Sequence, residues 1–278
     1  MLPIIQILGL PFLVCMLMSS ILGYLGTHVL KREVIFIDIA LAQIAAVGSI
    51  AAHMIFEAHG DSVTTYLCSF GCVLLAAGFY AFVRSRIFQI SLEAVIGISY
   101  AIAAAAALFL VGVAPGGHMH IQHILSGSLL WTCWRQIITS LIVFSLIGLA
   151  FYLIRKPITE ISNSYQKGTA KGLRVVFWDF IFYVLLGVVI TLSVQVGGIV
   201  VVFAYLIIPA TISAVFSSRL GIQLTIIGVT AITSSLGGLL FAYHLDFSIG
   251  PAIVLCLCCE LIIVGLINKL RQTRGMDG

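Results

Sequence analysis

Three histidines within six residues, His118, His120 and His123 in the run HMHIQH, follow Pro115-Gly116-Gly117. Neutral imidazole suits zinc, copper, iron and nickel, and His120 and His123, three apart, would share a face if a short helix starts there. The alternative is a solvated loop with no ligand role. A second group is Asp38 and Gln43 in FIDIALAQIAAVGSIAAH. Its plainer readings are an interfacial carboxylate beside a basic loop and an amide hydrogen-bonded between helices. A third is His244 and Asp246 in AYHLDFSIGPAIVL, where an Asp ahead of a helix beginning near Pro251 is either a cap or part of a polar path. Asp179, at a span start, and Glu260, inside an apolar run, belong to the same class with less support. The seven cysteines are odd in number and mostly sit in apolar runs, where Cys behaves as a small hydrophobe and no disulfide framework is expected. The CLCC cluster at 256–259 offers a soft-metal alternative, but only Cys256 and Cys259 share a helix face.

The elements that must position these side chains are membrane spans. With 61% hydrophobic and 9% charged residues, the chain has too little polar surface to cover a water-soluble globule. Charge-free runs at 1–30, 39–56, 62–83, 94–134, 136–154, 180–218, 220–245 and 247–259 are separated by short charged clusters. A span takes roughly 20 residues, and the 94–134 and 180–218 runs each have room for more than one crossing or a re-entrant piece. The expected fold is an all-α polytopic integral membrane bundle of about eight transmembrane helices, seven to nine, forming a single transmembrane domain over 1–278. Polar residues inside such spans are expensive in lipid, so each is a candidate for a substrate path. Small residues from Ala40 to Ala52 let neighbouring helices approach closely. The glycines at Gly197 and Gly198 and the proline at Pro209 predict a break, tolerated only where protein or water covers the backbone.

Charge sets topology and excludes other classes. The first 30 residues carry no Lys or Arg and read as a retained span, without the basic start of a signal peptide. The net charge of +4 lies in loops and does not point to nucleic acid. Basic clusters at Lys31–Arg32, Arg84–Arg86, Arg155–Arg174, Arg219 and Lys269–Arg274 mark the cytoplasmic side, which leaves the amino terminus outside and the carboxyl terminus inside. No Walker A, HExxH or GxSxG pattern is present, so the sequence carries neither its own ATP site nor a recognisable hydrolytic centre. The chain is not expected to be an enzyme.

LGYLGTHVLKREVIFIDIALAQIAAVGS, then VGGIVVVFAYLIIPATISAVFSS, then YHLDFSIGPAIVL together resemble the permease subunits of the ABC-3 family, importers of zinc, manganese and iron. The similarity covers nearly the whole chain and is most specific in VGGIVVVFAYLIIPATISA. It implies a permease homodimer in the bacterial cytoplasmic (inner) membrane. It further implies a cytoplasmic ABC ATPase subunit, an extracytoplasmic metal-binding protein, a divalent transition metal as cargo and no permanently bound cofactor. Members often carry an Asp and a His four residues apart early in the second span. Here Ile39 stands at the Asp and Gln43 at the His, with Asp38 displaced by one, while Asp246 and Gly250 match. An amide is a poorer zinc ligand than imidazole. Three readings stay open: transient passage of the metal at Gln43, a share taken by Asp38 and the HMHIQH loop, or a different metal. Motion of the ATPase would enter near Phe216–Gln223, where Arg219 is the sole charge, with Pro209 as a flexible point. The rivals are a gradient-driven secondary carrier, which predicts an inverted repeat and more intramembrane carboxylates, and an intramembrane enzyme, which predicts a catalytic cluster inside the spans.

Overall fold

A computed structural model describes residues 2–56, 63–86, 90–113, 129, 132–166 and 173–276. All of its regular elements are helices, in the order α1 (Leu2–Arg32), α2 (Ile37–Phe56), α3 (Val63–Arg86), α4 (Leu92–Val113), α5 (Trp134–Leu153), α6 (Arg155–Gln166), α7 (Leu173–Gly197), α8 (Ile199–Phe216), α9 (Leu220–Leu245) and α10 (Ile249–Met276). Nine of these helices are long and apolar enough to cross a membrane; the 12-residue α6 is the exception. The chain is a multi-pass membrane protein. The count sits at the top of the expected range because the 180–218 run holds two spans, α7 and α8, joined at one residue.

That residue is Gly198, whose φ of 78° lies in the left-handed region open to glycine. Val202 N–H donates to its carbonyl, and its own N–H donates to Val194, so one peptide unit turns the chain with its polar groups satisfied. Contacts fix the directions of the two helices. Along α7, Asp179 meets Arg32, Phe182 lies by His28 and Gly197 faces Met18, so α7 runs antiparallel to α1. Gly26 faces Leu206 and Ala210, so α8 runs back parallel to α1. At Gly26 any Cβ would strike the Leu206 carbonyl, so only glycine permits this approach.

Antiparallel packing recurs between α2 and α3, where Gly48 faces Cys68 and Ser69, and between α9 and α10, where Gly238 faces Ile253. Helix α4 runs parallel to α2. Glu93 accepts hydrogen bonds from the free N–H groups of Ile35 and Phe36 at one end, both at 3.3 Å, and Ala107 and Val111 cluster with Ile50 at the other. Successive spans therefore alternate in direction. The larger of two apolar clusters among the described residues, drawn mainly from α1, α2, α3, α5, α7, α8 and α10, forms the centre.

The expected break at Pro209 is absent. Helix α8 runs unbroken from Ile199 to Phe216 with Pro209 buried inside it. The proline removes one N–H from the ladder, yet buried packing on α1, α9 and α10 holds the helix together. The interruption lies at Gly198 alone.

Candidate functional site

Helix α2 carries the first candidates. Asp38, in its first turn, is 2% exposed, and its Oδ1 has no hydrogen-bond partner. Gln43 is half-buried. At 3.6 residues per turn, five residues separate the two by about 140° around the helix, so they do not share a face. Gln43 instead shares a face with Ile39, four residues earlier. Asp38 therefore stands one residue off the position that would pair it with Gln43, and its carboxylate points into the helix packing. Beside α2 lies α8, whose Phe203 stacks on Phe36 with centroids 6.4 Å apart and planes 8° apart.

His244 and Asp246 lie at the opposite end of the bundle and are exposed. Asp246 ends α9 in the left-handed conformation, φ 51°, with its own N–H and that of Phe247 both donating to Ala242 O. Its backbone role is to stop α9, not to cap α10, because α10 opens with Ala252 N–H donating to Ser248 O. His118, His120 and His123 fall outside the described residues. Among the described residues no three His, Cys, Asp or Glu side chains are grouped to hold a metal. All seven cysteines are free.

Arg219 is exposed in the turn between α8 and α9. Its backbone N–H donates to Ser217 Oγ at 3.1 Å, and Gln223 Nε2 donates to Ser217 O at 2.9 Å, so side chains on both flanks tie this short turn. Next to it Val215 and Phe216 are exposed, which gives the turn an apolar shoulder.

The largest polar constellation was not singled out by the sequence. At the basic end of α1, Arg32 is fully buried and pairs with Asp179 on α7. Tyr165 on α6 donates to the other oxygen of Asp179. Arg84 on α3 lies over the Tyr165 ring at 3.6 Å, donates to Tyr183 OH at 3.1 Å and caps the Arg32 carbonyl at 2.9 Å. Arg32 also lies 4.2 Å from the Phe182 ring centre and donates to Ser162, whose hydroxyl is 3.1 Å from His28 Nδ1. Burial, then the adjacent Asp179 charge, raise the Tyr165 phenol well above its ordinary value. This network ties α1, α3, α6 and α7 into one unit. Asp179 was visible in the sequence as a lone acid at a span start; its partner 147 residues earlier was not. A second buried contact links Tyr205 OH on α8 to Ser235 Oγ on α9 at 2.5 Å.

Among the described residues, nine alternating spans with an amphipathic helix under their basic end, and polar residues thinly spread through the apolar helices, are the build of a membrane transport subunit. The chain belongs to the ABC 3 transport family, whose model matches residues 5–268. It is 25% identical over 239 residues to the manganese transport system membrane protein MntC of Halalkalibacterium halodurans, covering 86% of this chain and 80% of that one. It is also 30% identical over 171 residues to the manganese transport system membrane protein MntB of Synechocystis, covering 62% and 56%. Its fold is similar to that of PsaBC from Streptococcus pneumoniae in complex with Fab, with a TM-score of 0.77 and 22% identity over 94% of this chain and 92% of that one.

Proposed function

We propose that this chain is the membrane-spanning permease of an ATP-driven importer for a divalent transition metal. It works as a homodimer, with a separate cytoplasmic ABC ATPase subunit and an extracytoplasmic binding protein that delivers the ion. The observation that carries this reading is the family match across residues 5–268, supported by relatives named for manganese and iron transport. Conduction needs weak, successive ligands, because an ion held as in a structural site would not leave. The sparse polar residues fit that need: His118, His120 and His123 as a landing loop, then His244 and Asp246 at the outer end of the bundle, then Gln43 within it. Buried Asp38 lies close to the inner end. Arg219 and the exposed Phe216 form the contact for the ATPase, and α8, with Pro209, carries the motion inward.

The cargo follows from Gln43. An amide offers a hard oxygen, which suits manganese, whereas imidazole suits zinc. Of manganese, iron and zinc, the first is the expected substrate. The test is uptake of each metal into vesicles holding this chain with its ATPase and binding protein. ATP-dependent uptake of manganese, lost when the ATPase is inactivated, supports the reading. Uptake that persists without the ATPase and follows an ion gradient makes the chain a secondary carrier.

A further inference from the structure

Helices α5 and α6 meet at a corner whose outer surface is exposed in the single chain. Along α5 the exposed residues Ile142, Leu146, Leu149 and Leu153 recur at helical spacing, which makes them the lipid-facing stripe of that span. Two residues past Leu153, about 3 Å further along the axis, Arg155 opens α6 with its guanidinium 4.5 Å from the Tyr152 ring centre. Arg155 and Lys156 are both exposed. Neither has a carboxylate partner: among the described residues the two ion pairs are Arg32–Asp179 and Arg174–Glu160, and the latter uses the sole acid of α6.

Further along α6, the face that carries Ile158, Ser162 and Tyr165 is fixed. Ile158 and Ser162 are fully buried, Ser162 accepts from Arg32, Asn163 accepts from Lys31 at 3.1 Å, and Tyr165 holds Asp179. The helix therefore cannot roll to bring Arg155 and Lys156 onto a protein acid. They stand at the foot of a hydrocarbon-facing stripe, beside an aromatic ring of the type that favours the headgroup level.

We propose that the α5–α6 corner is a binding surface for anionic phospholipid headgroups. Arg155 and Lys156 take the phosphate, and Tyr152 and Leu153 lie along the glycerol and upper acyl chain. A zwitterionic lipid brings its own ammonium to the same place and gains less, so the surface selects for net negative charge. The level of the corner argues for lipid over a docked protein, since its apolar half lies within the span itself.

The experiment uses the purified chain in detergent micelles holding equal amounts of phosphatidylglycerol and phosphatidylcholine, with retained lipid counted by native mass spectrometry. A basic side chain near an anionic surface is worth about fivefold in affinity. The wild-type chain should keep phosphatidylglycerol over phosphatidylcholine by at least that factor. The Arg155→Gln/Lys156→Gln double variant should fall towards the mixing ratio, and the Arg155→Lys/Lys156→Arg exchange should keep the preference. Both positions are exposed, so melting in lipid-free detergent should match wild type. An unchanged ratio in the double variant, or no preference in wild type, overturns the proposal. So does a double variant whose lipid ratio is unchanged but which no longer co-purifies with the ATPase subunit, because that result makes the corner a protein dock.

Discussion

At the scale of single residues, Asp246 carries two separable roles. Its backbone sits in the left-handed region that glycine adopts freely, at about 1–2 kcal/mol for an ordinary side chain. Asp246→Gly should keep the stop of α9 and remove only the carboxylate, whereas Asp246→Ala should remove both. If the carboxylate serves the metal, both variants lose uptake at limiting metal while only the alanine variant melts lower. If the residue is only a helix stop, the glycine variant transports normally. Gln43 allows a second test: Gln43→His should shift uptake towards zinc relative to manganese, measured by competition between the two ions. The sequence brought both residues to notice through the cost of polar groups among apolar ones. The spacing of Asp38 and Gln43 already turns them about 140° apart, but only the packing says which of the two directions is covered.

At the scale of elements, the buried network of Arg32, Asp179, Tyr165 and Arg84 decides how the basic end of the bundle is held. Removing one partner of a buried pair leaves an uncompensated charge and costs roughly 3–5 kcal/mol. Asp179→Asn should therefore lower the melting midpoint of the chain in detergent far more than Arg174→Gln, which breaks the exposed pair with Glu160. The phenol of Tyr165, raised by burial, holds its proton more tightly in the folded chain than in the unfolded one. Its contribution is fully present below the ordinary tyrosine range and is lost as pH climbs above about 10. Alkaline melting curves of wild type and Tyr165→Phe should differ least where that contribution has gone. The α1–α8 contact gives another expectation: Gly26→Ala should block assembly, since its Cβ meets backbone at the Leu206 carbonyl. Recovery of folded, transport-competent protein from that variant would disprove the close approach. Spans were legible from charge-free runs because the bilayer imposes their length. The network was not, because its members come from four helices far apart in sequence.

At the scale of the whole molecule, nine spans alternate among the described residues, which puts the start of α1 and the end of α10 on opposite sides of the bundle. An even number would have returned them to one side. The charged residues at Lys31–Arg32, Arg84–Arg86, Arg155–Lys156, Arg174, Arg219 and Lys269–Arg274 all fall at the same end of this alternation, which the positive-inside rule makes cytoplasmic. A reporter active only in the cytoplasm should work at the carboxyl terminus and fail at the amino terminus; the reverse result would invert the molecule. The ninth span lies in the 180–218 run that had room for two crossings, because one glycine suffices to turn the chain. No charged loop is needed where both faces of the turn are covered by protein.

That turn has a mechanical consequence. Helix α8 is a continuous helix of 18 residues, about 27 Å long at 1.5 Å per residue. It is pivoted at residue 198 and gripped along its length by α1, α9 and α10. Its free tip is the tied turn at Ser217 and Arg219. A push on the tip reaches the pivot along one unbroken helix, with Pro209 the single place on the way where a ladder hydrogen bond is missing. The pivot is the peptide unit where φ already lies outside the range of other residues, so stiffening it with Gly198→Ala should seize the helix without touching either end.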